Sequence, residues 1–474
     1  MPEEEALPKK AENFSEWYHE LVTRTIVDQR YPLEGFLTFR PLGEEMLSNA
    51  LKKLEELLIA TGHKKVYFPM LIPETLFQKE ADHIKGFASE VFWATHSGEK
   101  KMNIKCALRP TSETAMYEMM RYWVRSWHDL PLKIFQTCSI FRYETKHVRP
   151  LIRDREIRWT EAHTLHATAE EAVKQIEEGI KIYTELYNYL AIPHIWLDVV
   201  EGVFAGAESA CEAYTIFPSG RLLEMGSVNN LGQKFSRAFD VKFKSHDGSD
   251  EYVYQTCYGV SERLLAAIVA VHGDDYGLVL PPEIVNTKVV IVPIIFKETR
   301  EEVMAYARKL KSALEKEFGA VLDDNEDITP GEKFYKWEMV GVPVRIEVGK
   351  KDIDKGGVTV FRRDKRTKAF VKEKELVETL KSLLKDISEN MRKNAAKYHA
   401  SMINSAKNMD DVKKIIESGK AAKVVWCGNI DCASKMEKSV DAPFVGKVVN
   451  EEASGKCVWC GKKGKFYGIV GKTY

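Results

Sequence analysis

The stretch KIFQTCSIFRYETKHVRPLIRDREIRWTEAHT, Lys133–Thr164, decides the reading of this chain. Two segments rich in strand formers, KIFQTCSIFRY (Lys133–Tyr143) and REIRWTEAH (Arg155–His163), flank a polar loop and predict two strands in hairpin succession. On those strands and their loop, Arg142, Arg149, Arg153, Arg155 and Arg158 place five arginines within seventeen residues. Guanidinium forks grip phosphates bidentately and stack on planar bases, so this density points to an anionic, phosphate-bearing ligand. Taken alone, a hairpin of this kind is equally explained by surface ion pairs.

Outward from the hairpin, Arg263 stands where CYGV (Cys257–Val260) gives way to an apolar helix, Leu264–Val271. An arginine at a strand-to-helix junction suits a terminal phosphate. Glu170–Leu190 reads as an amphipathic helix, while Phe204–Leu231 and Tyr252–Val260 read as strands with few helical signals between them. Such hairpin succession favours an antiparallel sheet over a doubly wound one. Upstream, Met46, Leu47, Ala50, Leu51, Leu54, Leu57 and Leu58 recur at helical spacing over Gly43–Gly62, followed by a strand-like KKVYFPML broken at Pro69. The chain has no GxxxxGK[ST], no dinucleotide fingerprint and no serine elbow, which removes those classes.

Past PPEIVNTK (Pro281–Lys288) the pattern changes to strand–helix alternation. Lys288–Phe296, Pro343–Val348 and Val358–Arg362 read as strands, and Glu301–Phe318 and Lys372–Leu384 as helices. That is a small α/β domain with a parallel or mixed sheet. A polar helical connector, Asp386–Lys420, leads into a tail with two cysteine pairs, CGNIDC (Cys427, Cys432) and CVWC (Cys457, Cys460), beside Gly428, Gly455 and Gly461. Two knuckles of this kind match a closed four-thiolate zinc site, with a redox-active double pair as the competing explanation. Three domains result, over residues 1–283, 284–385 and 386–474.

The chain has 70 basic and 70 acidic residues, but the charge is uneven. Lys385–Tyr474 holds 17 Lys and Arg against 10 Asp and Glu, a net of +7, which leaves −7 on the rest. The basic tail hints at an anionic partner. The longest apolar runs are eight residues, far short of a membrane span, and MPEEEALPKK is not the pattern of a secretory signal. The expectation is a cytoplasmic chain with no membrane partner.

In this order the elements resemble the three signature motifs of class II aminoacyl-tRNA synthetases. The helix and strand reaching Pro69 resemble the first, FRYE with its arginine loop the second, and Gly259 to Arg263 with its helix the third. TSET (Thr111–Thr114), WTEAHT (Trp159–Thr164), FAGAE (Phe204–Glu208), LGQKFS (Leu231–Ser236) and VHGDDYGLVLPP (Val271–Pro282) resemble the prolyl-tRNA synthetase family along nearly the whole chain. The cysteine tail resembles the archaeal/eukaryotic type. Only about 115 residues separate Glu144 from Gly259, too few for the large editing insertion of bacterial-type members. The resemblance implies a class II antiparallel sheet flanked by helices, a small α/β anticodon-binding domain and a zinc-bearing C-terminal domain.

The same resemblance implies an ATP-dependent proline–tRNA ligase, a homodimer with the Gly43–Gly62 helix and the Pro69 strand at its two-fold, with tRNA(Pro), ATP and L-proline as partners, Mg²⁺ with the ATP and one structural Zn²⁺. Arg142 and Arg263 are the catalytic cations. Thr111, Glu113, Arg142, Trp159, Glu161, His163, Phe204 and Asn229 form the proline pocket. Arg142, Glu144, Arg153, Glu224, Ser227, Ser261 and Arg263 hold ATP, and Arg345, Glu347 and Lys351 read the anticodon. Two stretches depart from the family pattern: Glu224-Met225-Gly226-Ser227-Val228-Asn229 stands for Gln-x-x-Thr-x-His, and Cys257-Tyr258-Gly259 for Ser-Trp-Gly. A threonyl or glycyl sister enzyme, or a non-catalytic RNA-binding relative, would share the fold. The first lacks this pairing of TSET, WTEAHT and zinc tail, and the second usually loses arginines that are present here.

Overall fold

The structure, a computed structural model, describes residues 6–79, 90–144, 146–201 and 206–474. Phe204, one of the expected pocket residues, lies outside the described residues. The hairpin forms from Leu132–Phe141 and Glu156–His166, antiparallel and in register from Leu132↔Leu165 to Phe141↔Glu156. The two-residue period of a strand then sorts side chains. Trp159, Glu161 and His163 face a cavity, while Ala162 between them joins the apolar core behind.

Tyr254–Ser261 pairs beside Glu156–His166, followed outward by Leu222–Gly232, Ser209–Ile216 and Ile195–Asp198, all antiparallel as expected. At the opposite edge Lys64–Lys65 adds a short parallel strand. The helices Phe14–Thr25, Pro41–Ala60, Ala169–Tyr189 and Arg263–His272 cover the back of this sheet with their apolar stripes. The stripe Met46 to Leu58, expected at a two-fold axis, is buried in that core and is not free to meet a second copy. Exposed apolar groups lie instead on the segment after it, at Tyr67, Met70 and Leu71, and at Tyr122 and Trp123.

The second domain has strands in the order Val321–Leu322, Val289–Pro293, Val344–Val348, Gly357–Arg362 and Thr367–Lys372. The first three are parallel and the last two antiparallel, so the sheet is mixed. Its closing helix, expected to stop at Leu384, runs over Leu376–Met402. Leu380, Leu384, Ile387 and Met391 keep the apolar spacing across residue 385, and no Gly or Pro interrupts it.

The tail is less separate than its composition implies. Lys447↔Asp198 and Val448↔Leu197 join Phe444–Glu452 to the edge of the first sheet. Phe466–Val470, Ala421–Trp426 and Ile403–Ala406 continue from there, so one sheet of eleven strands spans both regions. The last residue returns to the first domain: Tyr474 N–H donates to the Leu222 carbonyl at 3.1 Å, and its ring lies 5.2 Å from Phe217 and 5.3 Å from the Arg149 guanidinium. No helix among the described residues is long and apolar enough to cross a membrane.

Candidate active site and metal centre

Sheet register builds the site. His163, Cys257 and Asn229 are lateral neighbours on three adjacent strands, and Glu161, Gly259 and Ser227 form the next row. Side chains in each row share a face, so residues as far apart in sequence as Glu161 and Gly259, 98 positions, meet in one cavity of about 420 Å³. Its walls include Thr111, Glu113, Arg142, Glu144, Arg153, Trp159, Glu161, His163, Glu224, Ser227, Asn229, Ser261 and Arg263. Thus every described residue expected to hold proline or ATP lines the same space.

One end of the cavity is a small buried pocket. Glu113, at the start of the helix Glu113–Trp123, accepts from the Thr111 hydroxyl. Glu161 is braced by Ser112, by Gln136 Nε2 at 2.8 Å and by His163 Nε2 at 3.1 Å. Burial alone would raise the Glu161 carboxyl, but the His163, Ser112 and Gln136 bonds outweigh it and hold it below its ordinary value. Burial would lower His163, yet the Glu161 bond and the Glu113 and Glu161 charges raise it. Trp159 forms a wall, with the Arg142 guanidinium 5.6 Å from its ring centre. Asn229 Nδ2 donates to Ser227 Oγ at 3.0 Å, leaving Oδ1 buried with no partner among the described residues.

The other end is cationic. Arg142 Nε donates to the Pro110 carbonyl at 3.0 Å, and burial lowers its pKa even with Glu90, Glu113 and Glu224 nearby. Arg263 Nε donates to the Ile152 carbonyl at 3.0 Å, while Nη1 reaches Glu224 Oε2 at 3.2 Å. Arg153 and Glu144 face each other at 3.5 Å across the arginine loop. These fixed donors make a preorganised binding surface for two anions.

Several site residues escaped the sequence reading. Glu212, opposite Ser227, lines the cavity, and burial together with the Glu224 charge pushes its carboxyl up to about 7. A lone acid within the apolar SACEAYTI was the available signal. Asp154 and Glu262 follow Arg153 and precede Arg263, and burial raises both carboxyls well above the usual range. Asp154 Oδ2 accepts from Leu151 N–H at 2.7 Å, closing the arginine loop on itself, and Glu262, just before the helix Arg263–His272, accepts from Arg158 N–H on the hairpin strand. Ser112 was visible only as a member of TSET, with no role of its own, and Gln136 carries no such signal, being an ordinary polar residue in sequence.

The second domain treats its predicted residues differently. Arg345 and Glu347 are buried, with Arg345 Nη2 donating to Glu347 Oε1 at 2.9 Å and Nη1 to Glu338 Oε1 at 3.0 Å. Phe334 and Phe361 sandwich the guanidinium at 3.9 and 4.1 Å. Lys368 covers the other Glu347 oxygen at 2.7 Å. Neither residue stands open to a base in this arrangement; Lys351 is exposed on the helix Lys350–Asp354.

In the tail the four Sγ atoms of Cys427, Cys432, Cys457 and Cys460 lie within 4.8 Å of one another. The separations of 3.7 Å (Cys427–Cys432) and 3.8 Å (Cys427–Cys460) are far from a disulfide. They equal the edge of a tetrahedron with metal–sulfur bonds of about 2.3 Å, which is about 3.8 Å. Gly428 and Gly461, each following a cysteine at φ +87° and +71°, supply the left-handed turns of the knuckles. The four residues therefore fit a closed zinc site.

This geometry is accompanied by family matches along the chain. Residues 95–272 match the tRNA synthetase class II core domain (G, H, P, S and T), residues 288–383 the anticodon binding domain, and residues 409–474 the prolyl-tRNA synthetase C-terminal domain. Fold and site thus define a class II aminoacyl-tRNA synthetase. The chain is 44% identical over 447 residues to the proline–tRNA ligase of Methanothermobacter thermautotrophicus, covering 92% of each chain. It is 45% identical over 440 residues to that of Pyrococcus abyssi, again covering 92% of each. A solved structure of Giardia lamblia prolyl-tRNA synthetase in complex with prolyl-adenylate superposes with a TM-score of 0.95 at 35% identity, covering 99% of this chain and 100% of that one. The chain belongs to the prolyl-tRNA synthetase family.

Proposed function

We propose that this chain activates L-proline with ATP to prolyl-adenylate and transfers the prolyl group to the 3′ end of tRNA(Pro). The observation that carries this reading is the single cavity that joins the Glu113–His163 pocket to Arg142 and Arg263. Proline is a small ring with a secondary ammonium and a carboxylate. Thr111 and Glu113 receive the ammonium, Trp159 and His163 wall the ring with Phe204, Glu161 braces the pocket, and Asn229 forms its floor. Arg142 then holds the carboxylate against the α-phosphate, which places the attacking oxygen beside its target.

Glu144 accepts from the adenine amino group, and Arg153 and Arg263 take the β- and γ-phosphates as pyrophosphate leaves. Glu224, Ser227 and Ser261 serve the ribose and phosphates. Glu224 and Glu212 offer carboxylate oxygens of the kind Mg²⁺ prefers, and the ion would neutralise charge developing on the phosphates. No protein nucleophile is required, because positioning and electrostatics suffice.

We assign residues 1–283 to catalysis, 284–385 to anticodon binding and 386–474 to the tail, with Zn²⁺ held structurally by Cys427, Cys432, Cys457 and Cys460. Lys351 is the exposed cation of the anticodon set; Arg345 and Glu347 act there by shaping the strand beneath it. The enzyme works in the cytoplasm as a homodimer, whose contact is the exposed apolar group Tyr67, Met70, Leu71, Tyr122 and Trp123. Phe68, 5.6 Å from Trp123, links the two parts of that surface. Amino-acid-dependent ATP–pyrophosphate exchange across a panel of amino acids tests the reading. Exchange with proline is the expected result; exchange with threonine or glycine, or none, overturns it.

A further inference from the structure

Cys257 has no part in the reaction just described, yet it lies at the bottom of the amino-acid pocket. Its thiol is buried beside Glu113 and His163, and one donor atom from each of the three lies within 4.8 Å of the others. Carboxylate, imidazole and thiolate are the donors from which zinc sites are built. His163 Nε2 is 3.1 Å from Glu161 Oε2, the outer carboxylate contact that commonly orients a metal-binding imidazole. The other ring nitrogen, Nδ1, has Tyr117 hydroxyl at 3.3 Å. Asn229, 4% exposed and lining the same cavity, adds a carbonyl oxygen with no partner among the described residues, and its Nδ2 is 3.7 Å from Cys257 Sγ.

We propose that Glu113, His163 and Cys257 form a second metal site, which takes a soft divalent cation such as Zn²⁺ and excludes proline while it is filled. This rests on the placement of proline above, because the exclusion arises from the shared Glu113 carboxylate. Burial raises the Cys257 thiol well above its ordinary range, so it carries its proton beside the Glu113 carboxylate. A bound cation replaces the protons: the sulfur–hydrogen bond of Cys257 and, where His163 is an imidazolium, its inner nitrogen–hydrogen bond break, the protons leave to solvent, and sulfur, imidazole nitrogen and carboxylate oxygen bind the metal. Tetrahedral ligands at about 2.0–2.3 Å sit roughly 3.3–3.8 Å apart, so the donors close by about an ångström as the ion enters. The metal then stands where the secondary ammonium of proline would lie. Unlike the closed tail site, this one opens onto the cavity and exchanges with solvent.

The test uses the full-length enzyme with its tail zinc in place, equilibrated with Zn²⁺ alone at rising free concentration. Elemental analysis is expected to rise from one to two equivalents per chain, and to stay at one when proline is saturating. In Cys257→Ser the count should stay at one, the retained equivalent showing that the tail is intact. In exchange assays of the unaltered enzyme the proline KM should rise about tenfold at a free zinc concentration ten times the dissociation constant, with kcat unchanged. A second equivalent that persists in Cys257→Ser overturns the proposal, as does a count that never exceeds one, whatever the exchange assay shows. A second equivalent lost with Cys257→Ser but indifferent to proline supports the metal site and counts against the placement of proline.

Discussion

Arg142 and Arg345 both stand on or beside strands with carboxylates around them, the first half-buried and the second buried, and the two regions use them in opposite ways. Arg345 is closed in: its guanidinium lies between two phenylalanine rings and donates to Glu338 and Glu347, whose remaining oxygens are covered by Arg366 and Lys368. Arg142 anchors one nitrogen to a backbone carbonyl and borders a cavity of about 420 Å³. The four cysteines resemble Arg345 in this respect, since four thiolates around one ion leave no position for a substrate. A closed set of charges holds the fold together, whereas an open set retains binding capacity for a ligand.

The contrast sets the size of each expected effect. The largest belongs to the tail, because folding and metal binding are one process in small zinc sites, with apparent binding energies of about 10–16 kcal/mol in zinc-finger peptides. The double substitution Cys457→Ser/Cys460→Ser should abolish the tail zinc and melt the knuckles, measured by elemental analysis and thermal unfolding. Full metal content in that variant would show that the cluster is misread. Arg345→Ala comes next. It strands Glu347 and Glu338 in a buried setting, so the second domain should lose about 3–5 kcal/mol of stability. Calorimetry checks this, and an unshifted transition would show that the lattice carries little.

Arg142→Ala should alter activity and not unfolding. Losing a cation that stabilises transition-state charge typically costs about 10²–10³-fold in rate, roughly 3–4 kcal/mol. Single-turnover formation of prolyl-adenylate reads that loss. The smallest effect is the pH response of the Glu161–His163 pair, about 1.5–3 kcal/mol for a charged hydrogen bond. Glu161, held below its ordinary 4.5, contributes stability above that pH and loses it as pH falls through its lower folded value. His163, raised above 6.5, contributes below that pH and loses it as pH climbs through its higher folded value. Stability should therefore be greatest between the two, and Glu161→Gln should flatten both limbs of a melting-temperature profile.

Much of this was legible because the chemistry is written locally. Five arginines on one hairpin, Arg263 before an apolar helix and two cysteine pairs with glycines each sit within short windows. The antiparallel sheet follows from strand signals in succession. What stayed hidden depends on distant pairing. The Lys447↔Asp198 ladder that merges the tail with the first sheet joins segments about 250 residues apart and leaves no local trace. VRIEV alternates like a half-exposed strand, and Arg345 and Glu347 are buried by distant segments: the helix Pro330–Met339, which brings Phe334 and Glu338 over that face, with Phe361 and Lys368 from the neighbouring strands. The Met46–Leu58 stripe shows the same ambiguity, since periodicity identifies an apolar face without saying whether its cover comes from this chain or another. Gln136 and Ser112 become site residues only once Glu161 is placed between them.

The most direct measurement compares proline-dependent ATP–pyrophosphate exchange in Arg142→Ala and Arg345→Ala, at a temperature where calorimetry shows both still folded. The open-and-closed account predicts that Arg142→Ala loses exchange by at least about 10²-fold while Arg345→Ala retains near-normal exchange and is impaired only in stability and in charging tRNA. Near-normal exchange in Arg142→Ala, or an equal loss in both folded variants, would contradict it.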